Sequence, residues 1–87
     1  MKHAGAGALD QLEPLLQRLR GLDGLKERAR GTFYVKSRAF LHFHEDPKGL
    51  FADLRGADGI DFDRFQVDAP SAQDALLHTV SVRLGET

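Results

Sequence analysis

Regularly spaced leucines predict a helix near the start of the chain. They recur at intervals of three and four and so share one helical face: Leu12, Leu15, Leu16, Leu19 and Leu22. Asp10 and Glu13 have the spacing of a capping box. Pro14 is tolerated only near a helix start, so the pattern leaves Asp10 and Pro14 as alternative first residues. Gly21 or Gly24 is expected to end the helix.

Three short runs rich in β-forming residues follow, at 32–35, 39–44 and 50–54. A basic segment, 25–30, connects the helix to the first of them, and Lys36-Ser37-Arg38 links the first to the second. Asp46-Pro47-Lys48-Gly49 has the residue order of a type I turn. These features predict an antiparallel meander.

The last third of the chain predicts one more strand and a second helix. A short strand is expected at 65–67, just before Asp68-Ala69-Pro70. Ser71 and Asp74 have the spacing of a helix cap, and Gly85 is expected to end the helix. Its apolar face is Leu76, Leu77, Val80 and Leu84.

The element order α-β-β-β-(β)-α predicts a single α+β domain over residues 9–87, preceded by a flexible tail over 1–8. The architecture expected is a two-layer sandwich. An antiparallel meander of three to four strands has the N- and C-terminal helices packed on one of its faces.

Side-chain alternation in this sheet leaves one face open to solvent. Packing the purely apolar sets under the helices puts the following residues on that face: Tyr34, Lys36, Phe40, His42, His44, Phe51, Asp53 and Arg55. The residues predicted to bind a partner are Tyr34, Lys36, Phe40, His42, His44 and Arg55. Scattered aromatic residues also occur on open sheet faces that bind nothing, so a purely structural role is the alternative.

Composition narrows the function classes. The chain has no cysteine, which excludes disulfides, thiolate catalysis and cysteine-ligated metal sites. No stretch approaches the about 20 apolar residues of a membrane span, and no apolar run of a secretory signal is present, so a cytoplasmic location is predicted. No nucleophile or nucleotide-binding motif occurs, and no catalytic residue or cofactor is predicted.

His42-x-His44 is the sharpest local feature. Two histidines two apart on a strand point to the same side, as metal binding by both rings requires. His3, His78 and Asp53 are the candidates for a third ligand. A small metal-dependent enzyme using His42 and His44 is therefore one alternative function.

A nucleic-acid-binding domain is the other alternative. Residues 1–55 hold ten Lys and Arg against seven Asp and Glu, while the whole chain has a net charge of −1. The cations proposed for a phosphate-facing rim are Arg28, Arg30, Lys36, Arg38 and Lys48, with Tyr34 and Phe40 as stacking platforms. A nucleic-acid footprint is usually more basic than this chain.

The runs 31–44 and 49–54, with Asp46-Pro47 and the pair Asp63 and Phe65, resemble the centre of a family of small bacterial proteins. More remotely, the element order is similar to the MmcQ/YjbR-like proteins, whose double-wing fold has been likened to DNA-binding domains. Lys36 with Ala39-Phe40, and Phe65-Gln66-Val67, match features of that group, while its usual Trp is missing. The resemblance implies a fold and transfers no catalytic residue.

Taken together, the residues favour a non-enzymatic binding or interaction module that uses the open sheet face. The expected partner is a protein or a small ligand, nucleic acid is a less favoured partner, and no membrane association is expected. The chain is predicted to be a monomer or a weak homodimer.

Overall fold

A computed structural model describes residues 1–87, which form two helices and six strands. The helices are α1 (Ala6–Arg20) and α2 (Pro70–Gly85). The strands, in chain order, are β1 (Lys2–His3), β2 (Lys26–Ala29), β3 (Thr32–Val35), β4 (Arg38–Asp46), β5 (Gly49–Arg55) and β6 (Phe62–Gln66). Neither helix is long and apolar enough to cross a membrane.

Five of the strands form an antiparallel meander in the order β2-β3-β4-β5-β6. The nine-residue β4 is longer than its neighbour β3, which pairs only with the first half of β4, up to His42. β1 continues along the same edge, with His3 opposite His44 and Lys2 opposite Glu45. The longest strand is therefore covered on one edge by two separate segments of the chain.

The predicted α+β fold, with helices at both ends of the chain and an antiparallel meander, is confirmed. The leucines of α1 and the apolar residues Leu76 and Val80 of α2 pack into one core with the sheet residues Phe33, Leu41 and Leu54. Complete burial of a leucine stabilises the fold by about 1.5–3 kcal/mol. Because these side chains all leave the sheet on one side, the other face stays open.

The first eight residues are not a tail. They form β1 and the first residues of α1, which begins at Ala6 rather than at Asp10 or Pro14. The N–H of Gly5 donates to Oε2 of Glu45 at 2.6 Å, which ties the helix start to β4. The helix ends at Arg20, followed by Gly21 as predicted.

The two predicted side-chain caps are also corrected. Neither helix has a side-chain cap: Gly5 precedes α1, and Ala69 precedes α2 with a proline in its first turn. Asp10 does not cap α1; its Oδ1 instead accepts from Nη1 of Arg30 at 2.9 Å. Asp74 pairs with Arg18 of α1 at 2.7 Å, so it links the two helices.

The sheet is wider than predicted, because the basic segment after α1 is a strand. Residues Lys26–Ala29 pair with β3 as an edge strand. The last strand lies at Phe62–Gln66, earlier than the predicted 65–67. Val67, just beyond it, is fully buried in the core.

Phe40 is the clearest correction to the predicted faces. Strict alternation put Phe40 on the open face, but its side chain is 3% exposed and belongs to the core. The register between β3 and β4 shifts here: Phe33 lies opposite Leu41, and Tyr34 lies opposite Ala39. This bulge gives β4 one extra residue, so Phe40 and Leu41 both reach the core.

Candidate metal centre

The open face carries most, but not all, of the predicted binding residues. His42 and His44 project from the middle of the sheet, opposite Asp53 and Phe51 of β5. Arg55 lies further along β5, with its guanidinium carbon 4.7 Å from the centre of the Phe62 ring.

The other predicted binding residues lie apart from the histidines. Tyr34 is on β3, where the guanidinium carbon of Arg28 lies 4.7 Å from its ring centre. Lys36 is exposed in the β3–β4 turn, and Phe40 is in the core. The structure thus does not unite the six predicted residues in one site.

Three histidines converge on this face. Alternation along β4 directs His42 and His44 outward, and the β1–β4 register places His3 directly across from His44. One ring nitrogen from each histidine lies within 4.8 Å of the others. We call this set, His3, His42 and His44, the histidine cluster.

The rings of the histidine cluster are in mutual contact. Those of His3 and His44 stack, with centroids 4.6 Å apart, and those of His42 and His44 meet edge to face at 5.0 Å. Phe62 of β6 lies against His42, with ring centroids 5.1 Å apart. The cluster therefore has an aromatic wall on the β6 side and solvent on the side of the exposed His3.

Two ring nitrogens of the cluster are buried without a hydrogen-bond partner: Nδ1 of His42 and Nδ1 of His44. The second lies 3.2 Å from Oδ2 of Asp53, which is close enough for an ion pair if the ring is protonated. The contact lacks hydrogen-bond geometry, so we count this nitrogen as unpartnered. An unsatisfied buried polar atom costs about 1–3 kcal/mol.

Asp53 is the only charged residue of the chain that is buried. Arg64 of β6, its cross-strand neighbour, donates from Nε and Nη2 to the two carboxylate oxygens of Asp53 at 2.7 and 2.8 Å. These hydrogen bonds lower the pKa of Asp53, although burial acts in the opposite direction. An ionised carboxylate is thus fixed directly beside the histidine cluster.

Burial lowers the pKa of both His42 and His44, since removal from water disfavours the charged imidazolium. The negative charge of Asp53 raises both pKa values and so offsets part of the effect of burial, whereas the neighbouring imidazole of His3 lowers them. The net effect favours neutral rings at neutral pH, which is the form that binds metal ions.

Of the three candidate third ligands, the structure brings one imidazole to the site. His3 completes the histidine cluster, while His78 is exposed on α2. Asp53 lies beside the rings, paired with Arg64. The role of Arg64 had no signal in the sequence, because its partner lies on a strand whose register could not be predicted.

The five cations proposed for a nucleic-acid rim do not all lie together: Lys36 lines one depression with Arg28 and another with Arg38, but Arg30 and Lys48 are apart from them. Arg30 is engaged by Asp10 and Glu13 of α1. Arg38 and Lys48 lie at opposite ends of β4.

Comparison with known proteins finds no matching family model, no similar curated protein and no similar solved structure. The resemblance to MmcQ/YjbR-like proteins therefore stays a prediction, and any function rests on the residues themselves.

Proposed function

We propose that the protein binds a divalent transition-metal ion through the histidine cluster on its open sheet face. The observation that carries this proposal is the convergence of three imidazoles, with one ring nitrogen of each within 4.8 Å of the others. A bound metal would order these rings and accept their lone pairs. It would also explain why three titratable side chains are held in contact.

The donor set favours zinc, nickel or copper over magnesium or calcium. Neutral imidazole is a ligand of intermediate softness, whereas the two hard ions prefer carboxylate and carbonyl oxygens. For tetrahedral zinc with bonds of about 2.0–2.1 Å, the ligand nitrogens stand about 3.3 Å apart. The three candidate ligand atoms lie within 4.8 Å of one another, so metal binding would require rotation of the imidazole rings, including that of the exposed His3.

Asp53 suits an outer-shell role in such a site. A histidine that binds a metal through one nitrogen usually donates its other N–H to a carboxylate or carbonyl, which orients the ring. The Asp53 carboxylate is already held by Arg64 next to His44. Three protein ligands leave a fourth coordination position, directed to the solvent side, for water or for a donor atom of a partner.

The test is a titration of the untagged, full-length chain with zinc or cobalt(II) at pH 7.5. We expect one ion per chain, a sub-micromolar dissociation constant, and the intense visible absorption of four-coordinate cobalt. His44→Ala should weaken binding at least 100-fold, because it removes one of only three ligands.

His78→Ala is the matched control, since it removes an exposed imidazole far along the chain from the cluster. It should bind the ion as the wild type does. Absence of saturable binding, or equal weakening by the two substitutions, would overturn the proposal.

We also propose a location, a class of partner and an oligomeric state. A chain without cysteine suits a reducing cytoplasm, and we propose that location. The partner is proposed to be a metal ion together with a small ligand or a protein that meets the open face, and the chain to be a monomer or a weak homodimer.

A further inference from the structure

Four cationic side chains converge on a cavity away from the histidine cluster. It has a volume of about 310 Å³ and lies where the β3–β4 turn, the β5–β6 loop and the C-terminal end of α2 meet. Its basic residues are Lys36, Arg38, Arg55 and Arg83. Asp58 and Glu86 line the cavity with them, and Asp63 pairs with Arg83 at 3.3 Å, so four positive charges face three negative ones and the site stays net positive.

Backbone contacts hold the arginines in place without using all their donors. Nη2 of Arg38 and Nη1 of Arg55 both donate to the carbonyl oxygen of Gly59, at 2.9 and 2.8 Å. Arg83 donates from Nη1 to the carbonyl oxygen of Arg55 at 2.8 Å. A guanidinium has five N–H donors, so each keeps donors for a ligand. Because these hydrogen bonds already restrict the arginine side chains, less side-chain entropy is lost when a ligand binds.

The negative charge of Asp58 is directed into its own loop. One carboxylate oxygen accepts from the backbone N–H groups of Ile60 at 2.9 Å and Asp61 at 3.3 Å. That carboxylate therefore does not neutralise the cavity arginines by direct pairing.

The backbone at the mouth of the cavity is strained. Lys36 and Ser37 have φ angles of +51° and +72°, in the left-handed region that residues other than glycine rarely adopt. Strain of this kind is concentrated at sites where side chains must be aimed. In this turn it sets the position of Lys36 at the cavity.

We infer that this cavity, formed by Lys36, Arg38, Arg55 and Arg83, binds a small molecule through a phosphate group. The planar guanidinium fork matches two phosphate oxygens, and several forks with a lysine suit a doubly charged group better than a single carboxylate. The volume is at the lower end for a small-molecule site, which fits a compact polar ligand.

The experiment is a titration of ¹⁵N-labelled full-length chain with inorganic phosphate at constant pH and ionic strength, with acetate in a parallel arm. Saturable shifts are expected at Arg38, Gly59 and Arg83. Arg38→Gln should weaken phosphate binding about tenfold through loss of one charge-assisted contact. Arg38→Lys should recover part of it, since the charge remains and the fork is lost.

Lys48→Gln is the matched control, because it removes one positive charge at the other end of β4. It should leave phosphate binding unchanged. Thermal unfolding of each variant verifies that the fold is intact. Shifts spread over the surface, equal weakening by Lys48→Gln, or acetate binding as tight as phosphate would each overturn the inference. His44→Ala should bind phosphate normally, which separates this site from the metal site.

Discussion

In the β3–β4 turn, the residue types at two positions affect the stability of the hairpin. Val35 pairs with Arg38, so the loop has only two residues, Lys36 and Ser37, and both have positive φ. Two-residue turns of this handedness prefer Asn-Gly or Asp-Gly, because those residues adopt the left-handed region with less steric cost. Lysine and serine at these positions therefore destabilise the hairpin.

Ser37→Gly is expected to stabilise the protein by about 0.5–1 kcal/mol, because glycine removes the steric cost at φ +72°. Urea denaturation measures the change. The matched control is Ser81→Gly at an exposed position within α2, where glycine should instead destabilise by about 0.5 kcal/mol. A loss of stability in Ser37→Gly would contradict this account of the turn.

Residue-scale predictions from sequence succeeded where alternation was regular. Period two placed His42, His44 and Asp53 on one face of the sheet, and in the structure they lie together there, with Asp53 buried rather than open to solvent. It failed at Phe40, since two adjacent phenylalanine and leucine residues do not reveal which strand carries an extra residue. His3 was one of three candidates for a third ligand, and the sequence could not select it because a two-residue strand is too short to show a period.

At the scale of elements, an ionic network attaches α1 to β2. Glu13 accepts from Arg20 at 2.6 Å and from Arg30 at 2.8 Å, and Arg20 also pairs with Glu27. The hydrogen bonds from Arg20 and then Arg30 lower the pKa of Glu13 to about 2. A carboxyl with a lowered pKa in the folded state stabilises the fold when it is ionised.

This network predicts an acid-dependent loss of stability. The contribution of Glu13 should be complete above about pH 5 and disappear as the pH falls toward its folded pKa of about 2. The difference in unfolding free energy between wild type and Glu13→Gln should therefore shrink from pH 7 to pH 2. Asp23→Asn, at an exposed position outside the network, is the control and should show no such trend. A difference independent of pH would contradict the prediction.

The elements that sequence predicted best were those with strong apolar periodicity. α1, β4 and β5 were identified because each carries several large apolar residues at regular spacing. β2 escaped notice, since its four residues, Lys26–Ala29, are mostly charged and its strand pairing depends on β3 alone. Its acidic residue, Glu27, forms an ion pair with Arg20 of α1, and no local sequence pattern predicts this contact.

At the scale of the molecule, metal binding should raise overall stability, because the histidine cluster joins β1 to β4. A ligand at 100 times its dissociation constant adds about 2.7 kcal/mol. In a domain of this size, that corresponds to a rise in Tm of about 10–20 °C. Thermal unfolding with zinc and then with a chelator measures the effect. His44→Ala should abolish the rise and His78→Ala should retain it; an equal rise in both would contradict cluster binding.

Besides supplying His3, β1 covers part of one edge of β4. The N–H of Ala4 donates to the carbonyl oxygen of Phe43 at 3.0 Å, and β1 pairs with the following residues of β4. Detachment of Lys2–His3 would leave that half of the β4 margin with free backbone donors and acceptors, a template for strand addition by a second molecule. If the histidine cluster binds the proposed ion through His3, loss of that ion would favour this detachment, and metal binding would reduce aggregation.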